Sequence, residues 1–346
     1  MGAFFGSPLF WNLVTLGIVA AFAWTVWRAS RQPLWIEAFR RLRYNRLATI
    51  ALIVMAIYVT FGLLDSVSWK DTRNADPSSI VDRIFKRTRE RTYSAPFAHW
   101  TTGEPHPHPV HHWHLLGTDA NGNDVVYMAM KGCRTALIIA GLTSLLATPV
   151  ALLFGLLAGY FGKRWDDAVQ YVYTTLDSIP GILLLIALLM VLGRGITQIC
   201  IAMGVTSWVY LCRLVRGETL KHREREYVRA ARALGVSPLG IMFRHILPNL
   251  LPIVLINVTL SLSGLILAEV VLAYLGLGVQ PGTGSWGSMI DSSRLELARE
   301  PIIWWNLAAA FGTASLFVLA LNLFGDALRD ALDPRLRGLE GAAKNG

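Results

Sequence analysis

Long apolar blocks alternate with charged loops along this chain, and the length of the blocks is the first indication of its class. A helix that crosses the hydrocarbon core of a bilayer needs about 20 mostly apolar residues. Seven segments come near that length: 8–27, 47–64, 134–160, 168–192, 196–212, 250–278 and 304–325. The pattern therefore predicts an all-α, polytopic membrane protein with about seven transmembrane helices.

The composition supports this class. Of the 346 residues, 53% are hydrophobic and only 16% are charged, whereas an ordinary soluble domain has roughly 25% charged residues. The first apolar block has no basic residue before it and no small-residue cleavage site after it, so we expect an uncleaved anchor and not a signal peptide. The three cysteines, Cys133, Cys200 and Cys212, are too widely spaced to indicate a disulfide framework or a zinc ribbon.

The basic residues predict the orientation. If residues 28–46 are cytoplasmic, the cytoplasmic loops hold 20 Lys and Arg residues, whereas the short external loops hold three. Cytoplasmic loops carry such an excess in membrane proteins, so the N-terminus is predicted outside and the C-terminus in the cytoplasm. The net charge of +9 follows from this orientation, and no nucleic-acid partner is needed to explain it.

These boundaries divide the chain into four parts. Residues 1–64 hold the anchor helix, a basic linker and a second helix, and residues 65–131 form a long external loop. Residues 132–326 form the membrane domain, and residues 327–346 form a cytoplasmic tail.

The external loop contains a dense histidine tract, His106, His108, His111, His112 and His114. Imidazoles at this density can coordinate zinc, copper or nickel. A tract interrupted by prolines is equally a polar, semi-rigid linker, and no cysteine or carboxylate pair adjoins it in sequence to complete a ligand set. We therefore expect a solvated loop, with metal binding as the alternative.

The internal loop, residues 213–249, has a helical pattern that is broken at Gly235 and Pro238. Two short helices joined by a glycine bend fit this pattern best. Such a helix pair between two spanning helices is a natural handle, because a partner that binds it can move the packed spans as rigid units.

Within this loop, residues 226–248 (EYVRAARALGVSPLGIMFRHILP) resemble the EAA loop of permease subunits of ATP-binding-cassette (ABC) importers. The general pattern has an acidic residue in place of Arg229 and an isoleucine in place of His245. The resemblance implies that this loop binds the transporter's ATPase. The residues assigned to that coupling role are Glu226, Ala230, Ala231, Gly235, His245, Leu247 and Pro248.

Over roughly residues 115–338 the chain resembles one branch of that family, the second permease of dipeptide, oligopeptide and nickel importers. The matching stretches are LLGTDANGNDV, LAGYFG, REREYVRAARALG, LAEVVLAYLGLGVQP, SWGSMI and NLFGDALRDALDPRLR. Asn123 and Thr174 depart from the residues that are usual in the family. The first apolar block and residues 70–110 lie outside the resemblance.

The resemblance implies a type I permease core with an extra N-terminal helix in the inner membrane. It also implies four partners: a homologous second permease, two cytoplasmic ATPase subunits and an external solute-binding protein. The chain has no glycine-rich loop ending in GK[ST], so we predict that it is not an enzyme, that it carries no cofactor, and that ATP hydrolysis occurs on the separate subunits. The expected cargo is a small solute, above all peptides, moved by alternating access.

Asp177 and Glu269 fall inside predicted spans, where charged side chains are costly and usually face a cavity or a partner. They are candidates for the solute pathway or for an interface between helices. Two alternative functions remain at this point. Asp177 and Glu269 would be the ion sites of a gradient-driven secondary transporter, or the histidine tract would belong to a metal-binding membrane protein.

Overall fold

The computed structural model describes residues 40–69, 78–85, 89–103, 106–280 and 282–332, together with the single positions 13 and 17. The predicted anchor helix, apart from those two positions, and tail residues 333–346 lie outside the described residues. The described part is mostly helical, which confirms the all-α prediction. Its only strands are the two-residue β1 (Ser68–Trp69) and β2 (Ser78–Ser79), which pair antiparallel.

The helices follow in chain order. They are α1 (Arg46–Ser66), α2 (Ile80–Phe85), α3 (Val125–Phe161), α4 (Lys163–Asp177), α5 (Gly181–Leu192), α6 (Ile196–Thr206), α7 (Trp208–Arg223), α8 (Glu226–Ala233), α9 (Pro238–Tyr274), α10 (Trp286–Glu296) and α11 (Trp305–Leu332).

Five of the described helical segments are long and apolar enough to cross a membrane, or six if one bent pair counts as a single span. Helices α6 and α7 together form one of these segments, Ile196–Arg223. The predicted number of seven is therefore not confirmed, and the predicted first span lies outside the described residues.

The predicted span 168–192 is a broken helix, and its description as one continuous segment is wrong. Helices α4 and α5 meet at an angle of 83°. Pro180 stands at the N-cap of α5, and because a proline disfavours helical backbone at the residue before it, the helix ends close to Asp177 and restarts after Pro180.

Helix α3 packs closely against α7 through two glycines spaced four residues apart. A Cβ atom on Gly155 would lie 2.8 Å from the side chain of Val215, and one on Gly159 would lie 2.6 Å from the Cβ of Thr219. Helix association in lipid depends on such close backbone approach. Gly155 and Gly159 therefore serve packing.

The other end of α3 is packed around the indole of Trp286, which is fully buried. The indole Nε1–H donates to the backbone carbonyl of Ala129 at 2.9 Å, and Gly132 leaves room for the ring. The rings of Tyr58 and Phe317 each lie 5.9 Å from the Trp286 ring, centroid to centroid. One side chain thus joins four helices, α1, α3, α10 and α11.

Replacing Gly132 with alanine should destabilise the protein. The new Cβ would collide with the Trp286 ring, and overpacking of a filled core typically costs about 1–3 kcal/mol. Thermal unfolding in mild detergent measures the effect. Gly312→Ala in α11 is the matched control, because a Cβ there meets nothing within 4 Å; an equal loss in both variants would contradict the packing role of Gly132.

Candidate functional site

The predicted glycine bend is present between α8 and α9. Gly235 has a φ of +76°, in the left-handed region that favours glycine. The Val236 N–H donates to the carbonyl of Ala231 at 3.1 Å, and the Gly235 N–H donates to the carbonyl of Arg232 at 3.0 Å. This pair of bonds is a Schellman motif, so the bend is a defined helix end.

The helix after the bend is not short, which corrects the prediction of two short helices. It begins at Pro238, where the Ser237 hydroxyl caps it by accepting from the Gly240 N–H at 3.2 Å. It then continues to Tyr274 as one 37-residue segment. The loop between the spans therefore leads directly into the spanning helix.

A stretch of π-helix covers Ile241–Ile246, just before Pro248. Proline has no N–H for the carbonyl four residues earlier, and its ring clashes with that carbonyl. The wider π turn accommodates Pro248 without ending the helix. The side-chain amide of Asn249 also donates to the carbonyl of His245 at 2.6 Å.

We use the term coupling segment for residues 224–248, which include the residues assigned to ATPase coupling. Ala231 is buried, and His245 and Leu247 are half-buried. The other four assigned residues are exposed: Glu226, Ala230, Gly235 and Pro248. The structure places these residues on α8, at the Gly235 bend and at the start of α9, but it does not test their role.

Sequence reasoning missed the most exposed apolar side chains of the coupling segment. Leu234 is 84% exposed, and Leu239 and Phe243 are also exposed. Neighbouring Val228, Ile241 and Ile246 are buried in the core below them. The sequence does contain a signal for these exposed residues: the segments on both sides of the bend have more apolar residues than one buried helix face can hold.

Ion pairs order the charged start of the coupling segment. The Glu224 carboxylate accepts from Arg223 at 3.0 Å and from Arg229 at 3.4 Å. The hydrogen bond from Arg223 has the largest effect, and together with that from Arg229 it holds the pKa of Glu224 below its usual value. The charges are solvent-exposed, and exposed pairs contribute little to stability, so they remain open to a partner.

Asp177 does not lie within a straight span, as predicted, but at the last position of α4, beside the bend. Its side chain is 53% exposed and pairs with Arg213 of α7 at 2.7 Å. At the other end of α4, Asp166 accepts a two-pronged hydrogen bond from Arg216, at 2.5 and 2.7 Å. Two Asp–Arg pairs thus hold α4 across α7.

The surface of α4 carries an open groove of about 530 Å³. Each lining residue carries a polar group, although most of the lining surface is apolar: Asp167, Gln170, Tyr171, Thr174, Thr175 and Ser178.

Glu269 is buried between α9 and α10, with 2% of its surface exposed. Its Oε1 atom has no hydrogen-bond partner and lies beside Gly287 in the first turn of α10. The positive end of a helix dipole favours a carboxylate at this place. This packing favours the interface between helices, and both predicted roles of Glu269 stay predictions.

Residues 89–103 and 106–124 fold as a small ordered unit, which we call the cap. Backbone hydrogen bonds of 2.9 Å join Phe97 to His114, Val110 to His99 and Thr101 to His108. Backbone pairing therefore orders this region, although most side chains of the histidine tract are exposed. The pairing joins residues 7 to 17 positions apart, which local periodicity does not reveal.

The histidine tract contributes one buried side chain to the cap. His114 lies between two carboxylates: its Nδ1 is 2.7 Å from Asp124, the N-cap of α3, and its Nε2 is 3.6 Å from Glu90. His111 contacts the same Glu90 at 3.1 Å. Sequence reasoning missed both carboxylates because they adjoin the tract only in the folded chain.

The remaining histidines of the tract, His106, His108 and His112, are exposed or half-buried. Among the described residues, no three His, Cys, Asp or Glu side chains are arranged to hold a metal ion.

The contacts of the buried His114 and Glu90 shift the pKa values of both side chains. The hydrogen bond with Asp124, the largest effect, raises the pKa of His114 despite its burial. Burial pushes the pKa of Glu90 upwards, but its hydrogen bonds with His111 outweigh burial and lower it. The raised pKa favours a protonated, positively charged His114, and the lowered pKa favours an ionised, negatively charged Glu90.

Comparison with known proteins places the chain in a class. Residues 151–338 match the family described as binding-protein-dependent transport system inner membrane component. Because this match covers more than half of the chain, the protein belongs to that family of multi-pass inner-membrane permease components.

Its relatives include named peptide permeases. The oligopeptide transport system permease protein OppC of Bacillus subtilis is 31% identical over 304 residues, which cover 88% of this chain and 90% of OppC. The dipeptide transport system permease protein DppC of Bacillus subtilis is 30% identical over 301 residues, which cover 87% of this chain and 86% of DppC. Among solved structures, an inward-facing MetNI methionine ABC transporter aligns with 58% of this chain and 96% of its own, at 19% identity and a TM-score of 0.46.

The stability of the cap should depend on pH through His114. A raised histidine pKa stabilises the fold below the unfolded value, roughly 6.5, and this contribution is lost as pH rises through the folded pKa. The lowered pKa of Glu90 acts in the opposite direction, so its contribution is lost as pH falls through its folded pKa. We expect hydrogen-exchange protection of the Val110 and Thr118 amides to fall above neutral pH.

His114→Gln should lower this protection and flatten its alkaline loss. His112→Gln is the control, because His112 is exposed. The assignment is wrong if the His114 variant keeps the wild-type pH profile after correction for intrinsic exchange rates.

Proposed function

We propose that this chain is one of two homologous permease subunits of an ABC importer that carries peptides across the inner membrane. Membership of the family and the peptide permeases among the relatives support this function. The observation that carries it is the coupling segment, which exposes apolar side chains at a defined bend and continues into the spanning helix α9.

In this proposal, two separate ATPase subunits bind the coupling segments of the two permeases. The exposed Leu234, Leu239 and Phe243 would fill an apolar groove of the ATPase, and the Glu224 and Arg229 charges would surround that contact. Because α9 is one continuous helix, a movement of the bend would tilt the span as a unit. The pathway would then open alternately to the two sides of the membrane.

The orientation in this proposal follows the positive-inside rule. The coupling segment and the C-terminus lie in the cytoplasm, and the N-terminus and the cap lie outside. An external solute-binding protein delivers the peptide to the outer face.

We assign the groove on α4 to the surface that meets the pathway or the second permease. Hydroxyl and amide side chains are unfavourable against lipid and are expected to face water or protein. Such uncharged donors and acceptors also suit a peptide backbone. The ion-gradient alternative gains no support, since Asp177 pairs with Arg213 and Glu269 is packed between helices.

The bend at Gly235 provides the main test. A valine there would disfavour the left-handed backbone by about 1–2 kcal/mol, whereas asparagine tolerates it. We expect Gly235→Val to lose most co-purification with ATPase subunits in mild detergent, and Gly235→Asn to retain it.

Gly282→Val is the control for strain alone, because Gly282 also has a positive φ, +89°, and an open surrounding, but lies far from the coupling segment. Retention of the ATPase by Gly235→Val would contradict the coupling role. Failure of the wild-type chain to retain any ATPase while it holds a second permease would overturn the importer function.

Leu234→Ser should weaken ATPase binding without destabilising the permease. The side chain is 84% exposed in this chain, so its loss costs the isolated subunit little, while full burial of a leucine side chain in the proposed interface would contribute about 1.5–3 kcal/mol. The ratio of ATPase to permease after gel filtration and the thermal midpoint measure the two effects. A fall in the midpoint with unchanged ATPase content would contradict the prediction.

A further inference from the structure

Three aromatic side chains of the cap are exposed: Phe97, Trp100 and Trp113, at 59%, 58% and 61%. We call them the aromatic platform. The rings of Phe97 and Trp113 stack with centroids 6.1 Å apart and planes 15° apart, and Trp100 lies on the same paired backbone. Adjacent exposed aromatic rings in water are typical of interaction surfaces.

The backbone at Phe97 is strained. Phe97 has a φ of +59°, which is rare for a bulky residue. Its N–H donates to the carbonyl of His114 at 2.9 Å. Strained residues of this kind cluster at functional sites, where the surrounding structure holds them.

The platform stands on a rigid base. His114 is bound to Asp124 at the start of α3, and the indole N–H of Trp305, at the start of α11, donates to the carbonyl of Thr118 at 3.0 Å. The Thr118 N–H in turn donates to the carbonyl of Ser94 at 3.0 Å. Two spanning helices therefore fix the cap, and a rigid aromatic surface loses little entropy on binding.

The height of the platform argues against lipid as its partner. Arg134 of α3 lies 3.8 Å from Asp65, near the outer end of α1, and this ion pair marks the edge of the apolar span. Asp124 is ten residues nearer the N-terminus of α3, about 15 Å further along the helix. The headgroup layer is only about 5–8 Å thick, so Trp113, which adjoins the Asp124 partner His114, stands in water.

The charge around the platform indicates the chemistry of its partner. Arg89 and Arg91 are exposed, whereas Glu90 is buried beneath the histidines. Asp119 binds the backbone of its own loop, at Asn121 and Asn123. The exposed rim in the described part of the cap is therefore basic, and complementary interfaces place an acidic rim opposite it.

We propose that the aromatic platform is the docking surface for the external solute-binding protein, through an apolar patch with an acidic rim on that protein. This inference rests on the proposed function and its orientation. The aromatic residues supply the central contacts, and Arg89 and Arg91 steer the encounter.

The test uses the assembled importer in nanodiscs. The probe is a purified solute-binding protein chosen because it raises the ATPase rate of the wild-type complex. We expect Trp113→Ala combined with Phe97→Asn to weaken its binding about tenfold or more, as loss of interface aromatic residues does. Trp100→Ala should act in the same direction, and Arg91→Glu should slow association most at low salt.

The matched control is Ile84→Ala, an exposed apolar residue on the same side of the membrane but outside the platform. It should bind the probe as the wild type does. The basal ATPase rate without the probe should be unchanged in all variants, because the platform is distant from the coupling segment.

Three outcomes would overturn the docking role alone, and a fourth would overturn both proposals. Wild-type affinity in the platform variants would exclude it directly. Loss of the second permease would assign the platform to the contact between permeases. Unchanged affinity with a stability that depends on phosphatidylglycerol in the nanodisc would place it in lipid. Each of these leaves the importer function intact, whereas a wild-type complex without any ATPase would overturn both proposals.

Discussion

The close approach of α3 to its neighbours is the constraint on which the other contacts depend. Lipid supplies no hydrophobic force between helices, so they associate through close van der Waals packing. Gly155 and Gly159 bring α3 against α7, and Gly132 makes room for Trp286 of α10. Any side chain at these positions would push the neighbouring helices outwards. One helix therefore positions both the element that leads to the coupling segment and the element that receives Glu269.

The second organising element is α9, which begins at the Gly235 bend and ends near α10. It continues through Pro248, where the π turn accommodates the proline, and through Pro252. Packed elements move as units more readily than they deform. A displacement at the coupling segment would therefore also move Glu269, which lies near the other end of α9 and contacts the N-terminus of α10. In the proposed mechanism, α9 would transmit the movement along its length.

Local sequence patterns predicted the elements better than the contacts between them. The apolar blocks within the described residues are helical, and the bend lies at Gly235, because chain length in lipid and a positive φ are requirements of single segments. The break at Pro180 was missed, although proline was its visible cause, since the apolar pattern continues across it. Asp177 was placed inside a span for the same reason, and the structure moves it to a helix end where it pairs with Arg213.

The sequence by itself determined the class of this protein, the side of the membrane expected for its basic loops and the position of its coupling segment. These properties depend on the composition of contiguous stretches. Only the tertiary structure decided that His114 is buried between Glu90 and Asp124, that Glu269 meets the first turn of α10, and that Phe97 and Trp113 stack on the surface. Each of these contacts joins residues from separate segments, and their meeting depends on how helices and loops pack, which no local period encodes.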